Sequence, residues 1–145
     1  MSIYTNNIYE SYDLDFVSLE DRRKIKKCME KLEFKQVKSR HFIHPNTFYL
    51  VVFPGSAVMI EDKLIKEFSE IKTKQGTLRL LTPTDCVKDR LAAFYDWNDR
   101  LGWNQAVMGA STLPIHIHTV KSWSIKEGMK TKFNEFLINI KQYKS

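Results

Sequence analysis

Two aspartates set two residues apart, Asp13 and Asp15, are the side chains of this sequence with the type and spacing to do chemistry. They sit in Tyr12-Asp13-Leu14-Asp15-Phe16-Val17, where Tyr12, Leu14 and Phe16 alternate with Asp13, Asp15 and Val17. Alternation of period two predicts a strand with one apolar face and both carboxylates side by side on the other. Carboxylates so placed can share a divalent cation such as Mg²⁺, which binds through one or two carboxylates together with water and phosphate oxygens. The same pattern also describes a solvated strand edge, so the spacing alone leaves both readings open.

A second group is cationic. Lys88, Arg90 and Arg100 stand near Asp89, Asp96 and Asp99, with Trp97 and Trp103 bracketing the stretch. Charges three and four apart on helices commonly pair, so these residues can join two helices as an ion-pair network. In the other reading Lys88, Arg90 and Arg100 neutralise a bound phosphate or nucleic acid at the Asp13/Asp15 strand.

The remaining candidates are weaker. His116-x-His118 and the pair His41 and His44 offer two imidazoles each, fewer than a zinc site needs. No G-x-S-x-G, G-x-x-x-x-G-K-[ST] or G-x-G-x-x-G occurs. Cys28 and Cys86 each fall within a helical pattern beside apolar residues and read as buried free thiols of a reducing compartment.

The elements that must hold these residues follow from pattern. Ser18 and Asp21 signal a helix start, and Ile25, Cys28, Met29 and Leu32 give the stripe of a helix over 19–32. Short β-like runs follow at Phe34–Val37, Arg40–His44 and Thr47–Phe53, the last two joined by a His44-Pro45-Asn46 turn. Ala57–Ile60 reads as extended and Lys63–Glu67 as a helical turn, while Phe68–Lys74 and Thr77–Leu81 flank Gly76 as a strand pair.

The longest organised stretch runs from Leu78 to Ala110. Thr82 can cap a helix, Pro83 suits its first turn and Asp85 falls three residues after the cap. Val87, Leu91, Phe94 and Tyr95 then form one stripe. Gly102 permits a break before a second helix over about 103–110. Beyond Pro114 the Ile-His-Ile-His segment reads as extended, and Thr119–Glu127 and Met129–Tyr143 as helices separated by Gly128. The fold class is therefore α+β: a mixed sheet with packed helices, then a helical C-terminal half. It reads as one domain over 1–145, strand-rich through 81 and helical from 82.

The totals agree with a folded, soluble, cytoplasmic domain: 145 residues, 43% hydrophobic, with no membrane-length apolar run and no signal-peptide pattern. A net charge of +6 permits an anionic partner without requiring one. The densest basic run, Arg22 to Lys27, reads as a solvated helix face or as a nucleic-acid patch.

Ser11-Tyr12-Asp13-Leu14-Asp15-Phe16 resembles the carboxylate-bearing strand of the polymerase-β-type nucleotidyltransferase superfamily. Leu81-Thr82-Pro83-Thr84-Asp85-Cys86-Val87-Lys88-Asp89-Arg90-Leu91-Ala92-Ala93 is similar to the segment that opens the helical part of its minimal and abortive-infection toxin members. The likeness extends through Trp97-Asn98-Asp99-Arg100, Trp123-Ser124 and Glu127-Gly128. It implies Asp13 and Asp15 as catalytic, Mg²⁺-binding residues if activity survives. Lys88, Arg90 and Arg100 would then be nucleotide- or phosphate-binding.

Two departures stand against activity. Met1 to Tyr12 holds no glycine turn to cradle a triphosphate, and Val51-Val52-Phe53-Pro54 has valine where the family carries a third carboxylate. The resemblance thus implies a truncated, degenerate relative, of the kind found in bacterial stress, mobile-element and toxin–antitoxin systems. Such a protein would bind a nucleotide, nucleic acid or protein partner rather than transfer nucleotides. Two alternatives stay open: a homo-oligomeric interaction module that covers an exposed sheet edge, and a basic nucleic-acid binder.

Overall fold

The computed structural model describes residues 1–55 and 57–145. It is α+β, as the patterning predicts, with five helices and three small sheets among the described residues. The chain forms two compact units: Glu10–Met59, and a second assembled from Met1–Tyr9 with Ile60–Ser145.

The smaller unit is a four-stranded sheet with one helix. Its strands are β1 (Asp13–Asp15), β2 (Lys35–Lys38), β3 (His41–Ile43) and β4 (Leu50–Val52), in spatial order β1-β4-β3-β2. β1 runs parallel to β4, and the other neighbours are antiparallel. The β3–β4 hairpin turns at His44-Pro45-Asn46, where the Asn46 N–H donates to His44 Nδ1 at 3.1 Å. Between β1 and β2 lies α1 (Arg22–Lys31). Asp21 is its N-cap, accepting from the Arg23 N–H, so the helix starts three residues later than the Ser18 signal suggests. Ser18 instead accepts from the Glu20 N–H in the preceding turn.

One face of this sheet meets α1. Met29, Phe42 and Val51 are buried together, with Leu14, Ile25, Phe34 and Phe53 packed around them. Cys28, expected inside, is exposed, because the helix buries only Met29 fully.

The larger unit is helical. A hairpin of β7 (Phe68–Thr73) and β8 (Gly76–Leu81) forms the expected antiparallel pair and feeds α2 (Pro83–Trp97). Thr82 caps α2 by accepting from the Asp85 N–H at 3.1 Å. Three helices follow: α3 (Arg100–Thr112), α4 (Ile117–Lys126) and α5 (Lys130–Tyr143). The predicted stripe of Val87, Leu91, Phe94 and Tyr95 enters a core shared with Trp103, Val120, Trp123, Phe133 and Phe136.

Four local expectations need correction. The break between α2 and α3 falls at Asn98, in the left-handed region at φ 53°, and Asp99 caps α3. Gly102 lies inside α3; a Cβ there would meet the Arg90 carbonyl at 2.9 Å, so the glycine serves close helix approach rather than a break. Lys63 and Leu64 are a short strand, β6, paired with β5 (Met59–Ile60), not a helical turn. The Ile-His-Ile-His segment is not extended: His116 is the N-cap residue of α4 and His118 lies within it. A period of two over four residues is too short to outweigh a helix that buries Val120 and Trp123.

The N-terminal segment Met1–Tyr9 is tied to this unit by the Tyr4 hydroxyl, which donates to the Leu81 carbonyl at 2.6 Å. Among the described residues no helix is long and apolar enough to cross a membrane.

Candidate functional site

Asp13 and Asp15 are both exposed, with Leu14 between them turned inward. Their spacing on β1 puts both carboxylates on the sheet face opposite α1, as the alternation requires. Among the described residues the strand is paired on one side only, with β4. The Leu50 N–H donates to the Tyr12 carbonyl and the Phe16 N–H to the Val52 carbonyl, each at 2.8 Å, which continues the parallel ladder past both ends of β1. Ser11 Oγ accepts from the Asp13 N–H at 3.3 Å and shapes the entry to the strand.

Register decides what accompanies the carboxylates. Asp13 stands beside Leu50 and Asp15 beside Val52 on β4. On the other side of β4, Val52 stands beside His41 of β3, which in turn stands beside Lys38 of β2. Residues in register share a face, so one row across the sheet reads Asp15, Val52, His41, Lys38. Strands lie about 4.8 Å apart, which puts Asp15 and His41 about 10 Å apart at the backbone. That is too far for both to ligate one ion whose oxygen ligands lie at about 2.1 Å.

Val52 is the neighbour of Asp15 on the carboxylate face. Among the described residues no group of three or more His, Cys, Asp or Glu side chains gathers as a metal site. The donor set that is present, two adjacent carboxylates, fits a Mg²⁺ ion that keeps most of its coordination for water and phosphate oxygens.

His41 is the residue that sequence reading undervalued. Paired with His44 it offers too few ligands for zinc, yet the hairpin register brings it to the carboxylate face while His44 approaches Glu33 at 3.8 Å. Its Nδ1 is buried without a hydrogen-bond partner.

The three candidate cations belong to the helical unit, and each is engaged there. Lys88 Nζ lies 2.8 Å from Asp85 Oδ1, with both side chains largely buried. Arg90 pairs through Nε, at 2.9 Å, and Nη2 with the Asp89 carboxylate. Burial works against the Arg90 charge, but Asp89, aided by Asp99, outweighs it and raises the guanidinium further above its ordinary value. The Arg100 guanidinium lies 5.2 Å over the Phe94 ring. The ion pairs therefore form within α2 rather than joining α2 to α3, and Asp99 instead caps α3 by accepting from the Leu101 N–H. Of the two bracketing indoles, Trp103 is buried and Trp97 is 84% exposed.

The helical unit has an acidic cluster of its own. Burial, then the neighbouring Glu127 carboxylate, pushes Glu61 above the ordinary carboxyl range. Lys63 Nζ lies 3.4 Å from Glu127. Glu61 is thus occupied within this unit. Burial likewise pushes the Cys86 thiol up, away from nucleophilic use.

No family model, curated protein or solved structure matches the chain.

Proposed function

We propose that this protein is a nucleotidyltransferase-like domain that binds a metal–nucleotide and no longer transfers nucleotides. The observation that carries the reading is the register of β1 with β4: two carboxylates project from β1, and Val52 stands beside Asp15 where the third would be. Asp13 and Asp15 would hold a Mg²⁺ ion through one or both carboxylates, and that ion supplies charge neutralisation to the phosphates of a nucleotide. With two acids rather than three, the site lacks the symmetric clamp that stabilises attacking and leaving oxygens together. The resemblance of Ser11–Phe16 and Leu81–Ala93 to the superfamily supports the same reading.

The test is calorimetric titration of Mn²⁺ with ATP, GTP, CTP or UTP into the full chain. Binding is expected to depend on the metal and to vanish in Asp13→Asn/Asp15→Asn. Val52→Glu is expected to tighten Mn²⁺ binding about tenfold, since carboxylate count tunes cation affinity. Metal-independent nucleotide binding, or a Val52→Glu variant no tighter than the parent, would overturn the reading. Transfer of a labelled nucleotide to RNA or protein by the unaltered chain would refute its non-catalytic part.

A further inference from the structure

The backbone of β1 alternates in the direction of its polar groups. Tyr12, Leu14 and Phe16 turn theirs toward β4, since the Tyr12 carbonyl accepts from the Leu50 N–H and the Phe16 N–H donates to the Val52 carbonyl. The N–H and C=O groups of Asp13 and Asp15 therefore point the other way, to an edge that pairs with no strand among the described residues. Ser11 engages one of the two: its Oγ accepts from the Asp13 N–H at 3.3 Å and donates to the Asp13 carbonyl at 3.2 Å, both exposed. Backbone donors and acceptors in such a row are complementary to the edge of another strand.

A two-fold axis beside Leu14 pairs this edge with itself in antiparallel register. Asp13 then stands opposite Asp15 of the second copy, and these positions exchange N–H···O=C bonds, four in all. On the α1 face Leu14 meets its own counterpart, and Tyr12 stands opposite Phe16 of the second copy as an aromatic cross-strand pair. Those rings stand in solvent in one copy: Tyr12 is 51% exposed and Phe16 41%. Tyr49, 6.1 Å from Tyr12 between ring centroids, is 39% exposed. On the other face the same register sets Asp13 directly against Asp15 twice, and like charges so placed oppose the pairing.

Area decides how these opposed effects weigh. Aromatic side chains bury about 150–250 Å² each, so the exposed parts of the three rings amount to roughly 500 Å² over two copies. A stable interface takes about 1,200 Å² or more. The edge is thus too small to join two copies against four facing carboxylates. Facing Cα atoms of such a pair lie about 5.5 Å apart, so the four carboxylates gather around one space. A divalent cation shared there neutralises them and finds more oxygen ligands than one copy supplies.

We infer that β1 is a self-pairing edge, held apart by Asp13 and Asp15 and joined to a second copy of this chain when their charge is neutralised, as by a shared divalent cation. That the cation binds at these two residues rests on the reading proposed above; the pairing of the edges does not.

Sedimentation velocity of the full chain over a range of concentrations, with Mn²⁺ or with chelator, tests it. The parent is expected to be monomeric in chelator and dimeric in Mn²⁺. Asp13→Asn/Asp15→Asn is expected to dimerise in chelator, with a dissociation constant at least about tenfold below that of the metal-free parent, and to ignore Mn²⁺. Asp13→Asn/Asp15→Pro loses the outward N–H of residue 15 and no bond to β4, because proline is tolerated where a strand's N–H faces away from its sheet. It is expected to stay monomeric. The inference is overturned if the asparagine variant remains monomeric, if the proline variant dimerises as tightly, or if the parent binds Mn²⁺ without dimerising. A parent that binds no Mn²⁺, beside an asparagine variant that dimerises and a proline variant that does not, refutes the metal site while upholding the edge.

Discussion

The two units of this chain spend their charged residues differently. In the helical unit, fifteen buried residues form one continuous core. The neighbouring cations are absorbed into structure: Lys88 by Asp85, Arg90 by Asp89, Arg100 over Phe94. In the sheet unit only Met29, Phe42 and Val51 form the buried centre. Asp13 and Asp15 stand in solvent on one face of its sheet, and Arg22, Arg23, Lys27 and Lys31 of α1 have no carboxylate partner among the described residues. A thick core can use ion pairs at its margin as struts, whereas a thin one leaves polar groups in water, where they remain available to ligands. The comparison teaches that charges near one another in sequence are a poor guide to a site, because Lys88 and Arg90 are already engaged by Asp85 and Asp89.

The largest test of that contrast is core truncation. Phe136→Ala is expected to destabilise the helical unit by about 3–5 kcal/mol. Phe42→Ala is expected to remove hydrogen-exchange protection from Glu10–Met59 while amides of α2, α3 and α5 keep theirs. Uniform loss of protection across the chain in both variants would erase the distinction between the units. Gly102→Ala should cost less, about 1–3 kcal/mol in denaturant unfolding, because its Cβ would press on the Arg90 carbonyl and force α3 from α2. A neutral result would mean that the helices yield there and that the packing is looser than the distances imply.

The smallest effect is electrostatic. Glu61 is raised in the folded state, so the folded protein holds its proton more tightly than the unfolded chain does. Its contribution to stability is therefore fully present below the ordinary carboxyl range and is lost as pH rises through the elevated value. Glu61→Gln keeps the size of the side chain and removes the charge beside Glu127. It is expected to raise the thermal midpoint at neutral pH and flatten its decline with pH. An unchanged pH profile would show that the carboxyl is as free as a surface one.

Much of this was legible in the sequence, and the exceptions share a cause. The α2 start was readable to the residue because capping is local: Thr82, Pro83 and Asp85 carry the whole signal. The alternation around Asp13 and Asp15 was readable for the same reason. His116 and His118 misled because a helix and a strand cannot be told apart over four residues, and the deciding contacts of Val120 and Trp123 lie further on. The role of His41 was hidden because its neighbours Asp15 and Lys38 reach it only through sheet register, which is a tertiary fact. The pairing of Lys88 and Arg90 within α2 rather than across to α3 also waited on geometry. Gly102 was noticed for the wrong reason, since its value lies in a neighbour's carbonyl rather than in its own freedom.

The N-terminal segment carries one more consequence. Because Met1–Tyr9 belongs with Ile60–Ser145, and the Tyr4 hydroxyl reaches Leu81, the sheet unit is an insertion in the sequence of the helical unit. Both of its ends are anchored in the same body. Loop-closure entropy rises only slowly with length, about 0.6 kcal/mol for each doubling, so an inserted segment can open and re-form without releasing its anchors at great cost. Tethered in this way, the sheet unit searches for its fold within a closed loop, and its unfolded ensemble is already confined.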